Sequence, residues 1–213
     1  VHGTINAFEG ERDIWLLFGK TPNEILSEQT PVEKHVSCDL IGSQCWKDLA
    51  EVLKTLNKTV KYVVIRNFDS FPDDYNLSKH GDIDFLVSNL EETANILNAQ
   101  RAFPESHRVH YSININGVSV PVDIRSLDDD YYDPYWSRDI LQTRVKRSGF
   151  YIPNDEHHFY SLLYHGLIHK REVAADYKQT FSALSTILGL NDFNLDTALG
   201  TLKAYMLTKN YQF

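Results

Sequence analysis

The stretch HGDIDFLVS (residues 80–88) places two carboxylates, Asp82 and Asp84, inside an otherwise apolar run. Alternate residues of a β-strand point to the same face, so these two side chains project together, while Ile83 and Phe85 point to the opposite face. Two carboxylates held side by side repel each other and raise each other's pKa. A divalent cation removes this conflict, because hard cations prefer oxygen ligands. The stretch therefore predicts a strand with one core face and one metal-binding face.

A third carboxylate, Asp123, lies near the end of the apolar run VSVPVDI (118–124). The dipeptide Asn116-Gly117 precedes this run and is a strong hairpin signal, so the run is predicted to be the second arm of a hairpin. Pro121 lacks an N–H group and predicts that this arm lies at a sheet edge or carries a bulge. If the arm neighbours the first strand, three carboxylates from two strands converge and can hold two Mg²⁺ ions. Such a site favours phosphoryl or nucleotidyl transfer, which depends on positioning and charge.

An Asp-x-Asp pair alone is a weak signal, because many such pairs are solvated strand ends. Here a polar loop precedes the pair, apolar residues alternate with it, and a hairpin supplies the third aspartate. These features together favour a metal site over a solvated strand end.

Length and composition predict a globular chain with a sizeable core. The 213 residues are 42% hydrophobic and 12% aromatic, which suits one domain or one domain with a helical extension. The net charge of −8 opposes binding to duplex nucleic acid. No apolar stretch approaches the ~20 residues that span a bilayer, and no signal peptide is evident. We therefore expect a cytoplasmic protein whose Cys38 and Cys45 are reduced thiols.

Hydrophobic periodicity predicts alternating helices and strands in the first part of the chain. Apolar intervals of three and four predict a helix over residues 43–58, with Ser43 as its N-cap. Residues 61–68 (KYVVIRNF) predict a strand, and residues 69–81 a polar loop. Residues 89–100 predict a further helix.

From about residue 153 onward, every periodic segment is helical. We therefore expect an α/β core over residues 1–150 and a helical subdomain over residues 151–213. Residues 1–42 are difficult to assign. The sequence begins at Val1 without an initiator Met, and one expectation is a domain cut from a longer chain.

The order of strand, loop, GDIDFLV (81–87), helix and VPVDI (120–124) resembles the nucleotidyltransferase fold of polymerase-beta-like enzymes. The match covers about residues 61–127. The resemblance implies an α+β fold, in which a mixed sheet with flanking helices is followed by a C-terminal helical region. It also implies Mg²⁺- or Mn²⁺-dependent transfer of a nucleoside monophosphate from a nucleoside triphosphate to a small hydroxyl or phosphate acceptor.

The resemblance implies roles for the carboxylates, and this chain differs from the superfamily pattern at one position. It implies that Asp82 and Asp84 bind both metal ions, and that Asp123 binds the catalytic ion and helps to deprotonate the acceptor hydroxyl. The superfamily has a Gly-Ser pair after its first strand, so that backbone N–H groups reach phosphate, whereas this chain has Arg66 and Asn67 there. Arg66 either replaces that contact as a bidentate clamp or is a structural partner of an aspartate. A subset of the superfamily with the same pattern is associated with surface polysaccharide and sugar-phosphate pathways.

Basic groups cluster in YHGLIHKR (164–171), which is unusual in this acidic chain. His158, His165 and His169 are seven and four residues apart, so they share one face of a helix. Packed histidines are favoured over a three-imidazole metal site. As a functional role, a contact to phosphate or sugar from His165, His169 or Lys170 is favoured over metal binding.

The segment SLDDDYYDPYW (126–136) combines aspartates with aromatic residues. Its consecutive aspartates cannot share one face, so residues 128–130 predict a solvated turn. The aromatic side chains can stack on a base or sugar ring, but packing between the helical region and the sheet is favoured.

Two further functional interpretations remain open. The chain can be a non-catalytic domain that binds a nucleotide or sugar phosphate within a larger glycan-assembly protein. It can also be a toxin-type transferase that modifies a protein or tRNA, although its negative charge disfavours tRNA.

Overall fold

The computed structural model shows a mixed α+β fold, as predicted, in which helices cover both faces of a mixed sheet. Within the described residues, no helix combines the length and apolar character needed to cross a membrane. Cys38 and Cys45 are both exposed and free. The described residues are 4–28, 37–75, 81–105, 109–175, 177–190 and 193–213.

The described strands form a five-stranded sheet and a separate hairpin. The sheet contains β1 (Tyr62–Val64), β2 (Ile83–Val87), β3 (Gln100–Arg101), β4 (His110–Ile115) and β5 (Val118–Ser126). The hairpin consists of β6 (Val145–Arg147) and β7 (Phe150–Ile152). The strand order of the sheet is β1-β2-β5-β4-β3, and among these neighbours only β2 and β5 run parallel.

The helices of the described residues precede, flank and follow the sheet. They are α1 (Ala7–Phe18), α2 (Pro22–Ser27), α3 (Leu49–Thr59), α4 (Leu90–Ile96), α5 (Pro134–Gln142), α6 (Asp155–Tyr164), a π-helix (His165–Lys170), α7 (Tyr177–Ile187) and α8 (Ala198–Lys209).

The alternation predicted for β2 is confirmed by the two hydrophobic cores. Ile83, Phe85 and Val87 pack into the core that contains α3 and α4. Leu86 packs into the other core, which α5, α6, α7 and α8 form with the opposite face of the sheet. Because side chains two apart share a face, Asp84 lies on the face that the C-terminal helices cover.

The predicted hairpin is confirmed, but the predicted edge position of its second arm is wrong. Asn116 and Gly117 have φ values of 50° and 80°, as a tight two-residue turn requires. The arm, β5, lies inside the sheet between β2 and β4. Pro121 is tolerated because the pairing with β2 begins only at Val122, so its missing N–H interrupts no bond to that strand.

The helix predicted over residues 43–58 begins later than expected. The observed helix is α3, which begins at Leu49. Its N-cap is Asp48 and not Ser43. The cause is Trp46, whose backbone N–H donates to the carbonyl oxygen of Asn114 at 2.8 Å. Its buried indole also donates a hydrogen bond to a backbone carbonyl after α4. These long-range contacts hold the segment extended.

Two other predicted elements are present but shorter than expected. The strand expected over residues 61–68 is β1, and the helix expected over 89–100 is α4. Part of the loop predicted before β2, residues 76–80, lies outside the described residues. The expected division between residues 150 and 151 falls inside β7, whose side chains pack into the core that contains α3.

We expect His158 to make the fold sensitive to acid. Its ring packs 4.8 Å from the ring of Phe68, and burial lowers its pKa to about 4, although Asp69 and Asp155 oppose the shift. A histidine in an unfolded chain titrates near pH ~6.5. The unfolded state therefore binds the proton first, and stability is lost as the pH falls from about 6.5 to about 4. The acid-induced decrease in the free energy of unfolding is expected to be smaller in His158→Phe than in the wild type, by up to about 3 kcal/mol.

Urea unfolding of the wild type and of His158→Phe at neutral and at mildly acidic pH measures this contribution. The wild type is expected to lose more free energy of unfolding than the variant between the two conditions. An equal loss in both proteins contradicts the prediction.

Candidate metal and nucleotide site

Three carboxylates, which we call the carboxylate triad, meet on the face of the sheet covered by the C-terminal helices. The parallel register of β2 and β5 aligns Asp84 directly with Asp123, and Asp82 lies immediately before β2. One carboxylate oxygen of each residue lies within 4.8 Å of the others. Asp84 and Asp123 are only 1% and 7% exposed, and Asp82 is half-buried. The predicted convergence is confirmed, while the role of these residues in metal binding stays a prediction.

The triad opens into a cavity of about 460 Å³, which we call the site cavity. Its wall carries cationic and imidazole groups as well as the carboxylates, so the cavity offers ligands for a metal ion and for an anion together. The residues that the sequence predicts to contact a ligand all line it: Arg66, Asn67, His165, His169 and Lys170.

Arg66 is a partner of an aspartate, which is the second of the two roles considered for it. Its Nη2 atom donates to Oδ1 of Asp84 in a buried ion pair, and its Nη1 atom donates to the hydroxyl of Tyr131 at 3.0 Å. Burial acts to lower the pKa of the guanidinium, but Asp84 together with Tyr131, Tyr132 and Tyr177 raises the pKa overall. Arg66 is therefore a permanent positive charge at the floor of the site cavity.

Asn67 occupies the second position of the missing Gly-Ser pair. Its φ of 60° lies in the left-handed region, which asparagine tolerates better than most residues. Its side-chain oxygen accepts a hydrogen bond of 3.4 Å from the hydroxyl of Tyr177. The turn after β1 is thus linked to α7 across the site cavity.

The carboxylate triad is electrostatically unfavourable even with Arg66 beside it. Burial raises the pKa of Asp84 to about 7, against the influence of Arg66, and the charges of Asp82 and Asp123 contribute to the increase. Burial also raises the pKa of Asp82, with a further contribution from Asp123. A bound divalent cation favours the charged carboxylates and removes this penalty.

Asp123 provides the clearest indication of a ligand. Although nine-tenths buried, its carboxylate accepts no hydrogen bond within the described residues; its cationic neighbours are Nε2 of His110 at 3.8 Å and Nη2 of Arg125 at 3.7 Å. Both distances exceed a hydrogen bond. The carboxylate lines the site cavity, so its oxygens are available to a cation. Together with the all-oxygen donor set, this arrangement fits Mg²⁺ or Mn²⁺.

Arg125 lines the site cavity and is absent from the sequence prediction. Its guanidinium lies 4.0 Å from the ring centre of Tyr131, and its Nη1 atom is 3.7 Å from Oδ2 of Asp129. Asp129 in turn accepts a 3.1 Å hydrogen bond from the backbone N–H of Tyr131. Strand alternation could have predicted its place in the site, because Arg125 follows Asp123 by two positions and therefore shares its face.

His110 also lines the site cavity and is absent from the sequence prediction. It is the cross-strand partner of Asp123 in the register of β4 and β5. A two-residue turn at Asn116 and Gly117 specifies that register, so the hairpin signal alone pairs these two residues.

The π-helix presents His165 and His169 to the site cavity. Nδ1 of His165 lies 2.8 Å from the hydroxyl of Tyr131, and the ring of His169 is centred 4.0 Å from the Tyr131 ring. Burial lowers the pKa of His165 to about 3 and that of His169 to about 4, with smaller contributions from Arg66 and Arg125 respectively. Both imidazoles are therefore neutral at pH 7. Single π-turns within helices are frequent at functional sites.

The three-imidazole metal site is not formed. His158 packs against Phe68 and does not line the site cavity, because seven helical residues separate it from His165 by about 10 Å along the axis. His157 is buried elsewhere, where its Nδ1 atom accepts a 3.1 Å hydrogen bond from the indole of Trp136. Among the described residues, the group of possible metal ligands is the carboxylate triad.

The aromatic segment after β5 mainly packs, as the sequence favours. Tyr132 and Trp136 are buried in the core of the C-terminal helices, whereas Tyr135 is 66% exposed. Tyr131 belongs to that core and also lines the site cavity. The predicted solvated turn is correct for residues 128 and 130, but Asp129 is half-buried against Arg125.

Comparison with known proteins provides no relative from which a role can be transferred. No protein-family model matches the chain, and neither a curated protein nor a solved structure matches it.

Proposed function

We propose that this protein is a divalent-cation-dependent nucleotidyltransferase with a nucleotidyltransferase-like fold. It transfers a nucleoside monophosphate group from a nucleoside triphosphate to a small hydroxyl or phosphate acceptor, in surface polysaccharide biosynthesis. The observation that carries the proposal is the β2–β5 register, which brings the buried Asp123, free of hydrogen bonds to described residues, beside Asp84 and Asp82.

The three residues of the carboxylate triad would hold Mg²⁺ or Mn²⁺. When bound, the ion neutralises phosphate charge and lowers the pKa of a coordinated hydroxyl. The triad suits this role because its oxygens are close together, partly desolvated and mutually repulsive.

The remaining groups of the site cavity bind and orient the substrates. Lys170 lies exposed at the rim, where its ammonium group attracts the triphosphate, and Arg125 supplies a planar donor group for phosphate oxygens. Asp123 accepts the proton of the acceptor hydroxyl. The acceptor oxygen then forms its bond to the α-phosphorus, and pyrophosphate leaves.

One observation favours a second candidate function. Arg66 already neutralises Asp84, as expected of a domain that retains the fold and binds a nucleotide or sugar phosphate without catalysis. Such a domain would act within a larger glycan-assembly protein.

Pyrophosphate release and thermal shift distinguish these candidates. The protein is incubated with Mg²⁺ or Mn²⁺, each of ATP, CTP, GTP and UTP, and a panel of sugar phosphates, with EDTA as the control. We expect metal-dependent stabilisation by one nucleotide, pyrophosphate release, and a nucleotidylated acceptor detected by mass spectrometry. Stabilisation without release supports the binding domain, and the absence of both contradicts the two proposals.

A further inference from the structure

The charges around the carboxylate triad already include built-in cations. The guanidinium of Arg66 contacts Asp84, and that of Arg125 lies 3.7 Å from Asp123. Arg125 lies equally close to Asp129, at 3.7 Å, so the triad, Asp129 and the two arginines together carry two net negative charges when all four carboxylates are ionised. One divalent cation balances this cluster, whereas two divalent cations leave two positive charges in a largely buried site.

The number of available ligand oxygens also favours one bound divalent cation over two. Two-ion centres place their ions about 3.5–4 Å apart, so the ions must share carboxylate ligands. Oδ1 of Asp84 is engaged by Arg66, which leaves Asp84 one oxygen. Asp82 and Asp123 accept no hydrogen bond within the described residues, and both keep oxygens for a cation.

Arg66 is held firmly in this position. Its side chain is buried, and its second hydrogen bond goes to Tyr131, whose hydroxyl lies 2.8 Å from Nδ1 of His165. The chain from Asp84 through Arg66 and Tyr131 to the π-helix ties the guanidinium to two parts of the fold. Displacing it requires breaking buried hydrogen bonds, which is costly.

We infer that the carboxylate triad holds one divalent cation rather than two, and that the Arg66 guanidinium stands in the place of the second ion. This inference rests on the proposed function and specifies the metal content of the same site. The cation is bound by Asp82, Asp123 and the remaining oxygen of Asp84. Arg66 neutralises the other side of the triad with a fixed charge that no chelator removes.

Counting bound Mn²⁺, with the metal alone as the probe, tests this inference. Free Mn²⁺ is followed by its electron paramagnetic resonance signal, and the number of sites is checked by titration calorimetry. The wild type is expected to bind one ion per chain, with the spectrum of an isolated ion. Arg66→Met is expected to bind two ions that interact magnetically, whereas Arg66→Lys, which keeps the charge, binds one.

Arg138→Met is the matched control, because Arg138 is exposed, packs beside the exposed Tyr135 and does not line the site cavity. It is expected to bind one ion. If Arg66→Met does not fold, Arg66→Gln replaces it, since its amide donates to Asp84 without a charge.

Each result has a distinct consequence. Two interacting ions in the wild type overturn the inference and leave the proposed transferase intact. One ion in both the wild type and Arg66→Met overturns the role of Arg66. No bound ion in the wild type contradicts both the inference and the metal-dependent function.

Discussion

Replacing Asp123 with Asn is expected to reduce nucleotidyl transfer by about 10³-fold, the effect typical of losing one preorganised electrostatic group in an active site. The amide has the same shape but is neutral, so it neither ligates a hard cation well nor accepts the proton of the acceptor hydroxyl. Initial rates of pyrophosphate release measure the effect, and Mn²⁺ titration reports the accompanying loss of metal affinity.

The fold is expected to tolerate this replacement. Asp123 accepts no hydrogen bond within the described residues, and its contacts with His110 and Arg125 are long. Loss of these long contacts and relief of the desolvation of a buried carboxylate oppose each other, so the free energy of unfolding should change by about 1 kcal/mol or less. Asp128→Asn is the matched control, because Asp128 is an exposed carboxylate outside the site cavity. Its rate should match the wild type, and transfer by Asp123→Asn above a tenth of the wild-type rate contradicts the assignment.

Arg66→Met is expected to lower the free energy of unfolding by about 3–5 kcal/mol at pH 8, without metal. This loss arises because Asp84, only 1% exposed, loses its cationic partner and must either carry an uncompensated charge or take up a proton at pH 8. The wild-type pair need not itself stabilise the protein, since breaking a buried pair differs from replacing it. Urea unfolding of the variant and of Arg138→Met measures the loss, and the exposed control should stay within about 0.5 kcal/mol of the wild type.

A double variant separates this charge effect from the loss of packing. Adding Asp84→Asn to Arg66→Met removes the stranded carboxylate, so we expect recovery of more than half of the lost stability. Mn²⁺ should also stabilise Arg66→Met more than the wild type. If the free energy of unfolding of Arg66→Met equals that of Arg138→Met, the predicted cost of breaking the Arg66–Asp84 ion pair is wrong.

Much of the candidate site follows from short-range sequence signals. The Asp82–Asp84 spacing specifies a shared strand face, and the turn at Asn116 and Gly117 specifies the hairpin register. The same two rules also indicate Arg125 and His110. These features are predictable because strand alternation and turn geometry depend on neighbouring residues alone.

Other features depended on contacts between distant segments. The Trp46 segment is extended because it pairs with the end of β4, although its periodicity is helical. The helical segment predicted from about residue 153 becomes a π-helix after Tyr164, where His165 meets Tyr131. Neither outcome is encoded in local propensity, which tertiary contacts override.

The sequence by itself determined that β2 has an acidic face and an apolar face, and that a turn pairs β4 with β5. Only the tertiary structure decided that β5 inserts beside β2 and aligns Asp123 with Asp84. It also decided that Arg66 neutralises Asp84 and does not remain free as a clamp for phosphate. The physical reason is that strand alternation and tight turns depend on neighbouring residues. Parallel strand pairing and buried ion pairs form between segments that are distant in the chain, and no local pattern indicates which segments will meet.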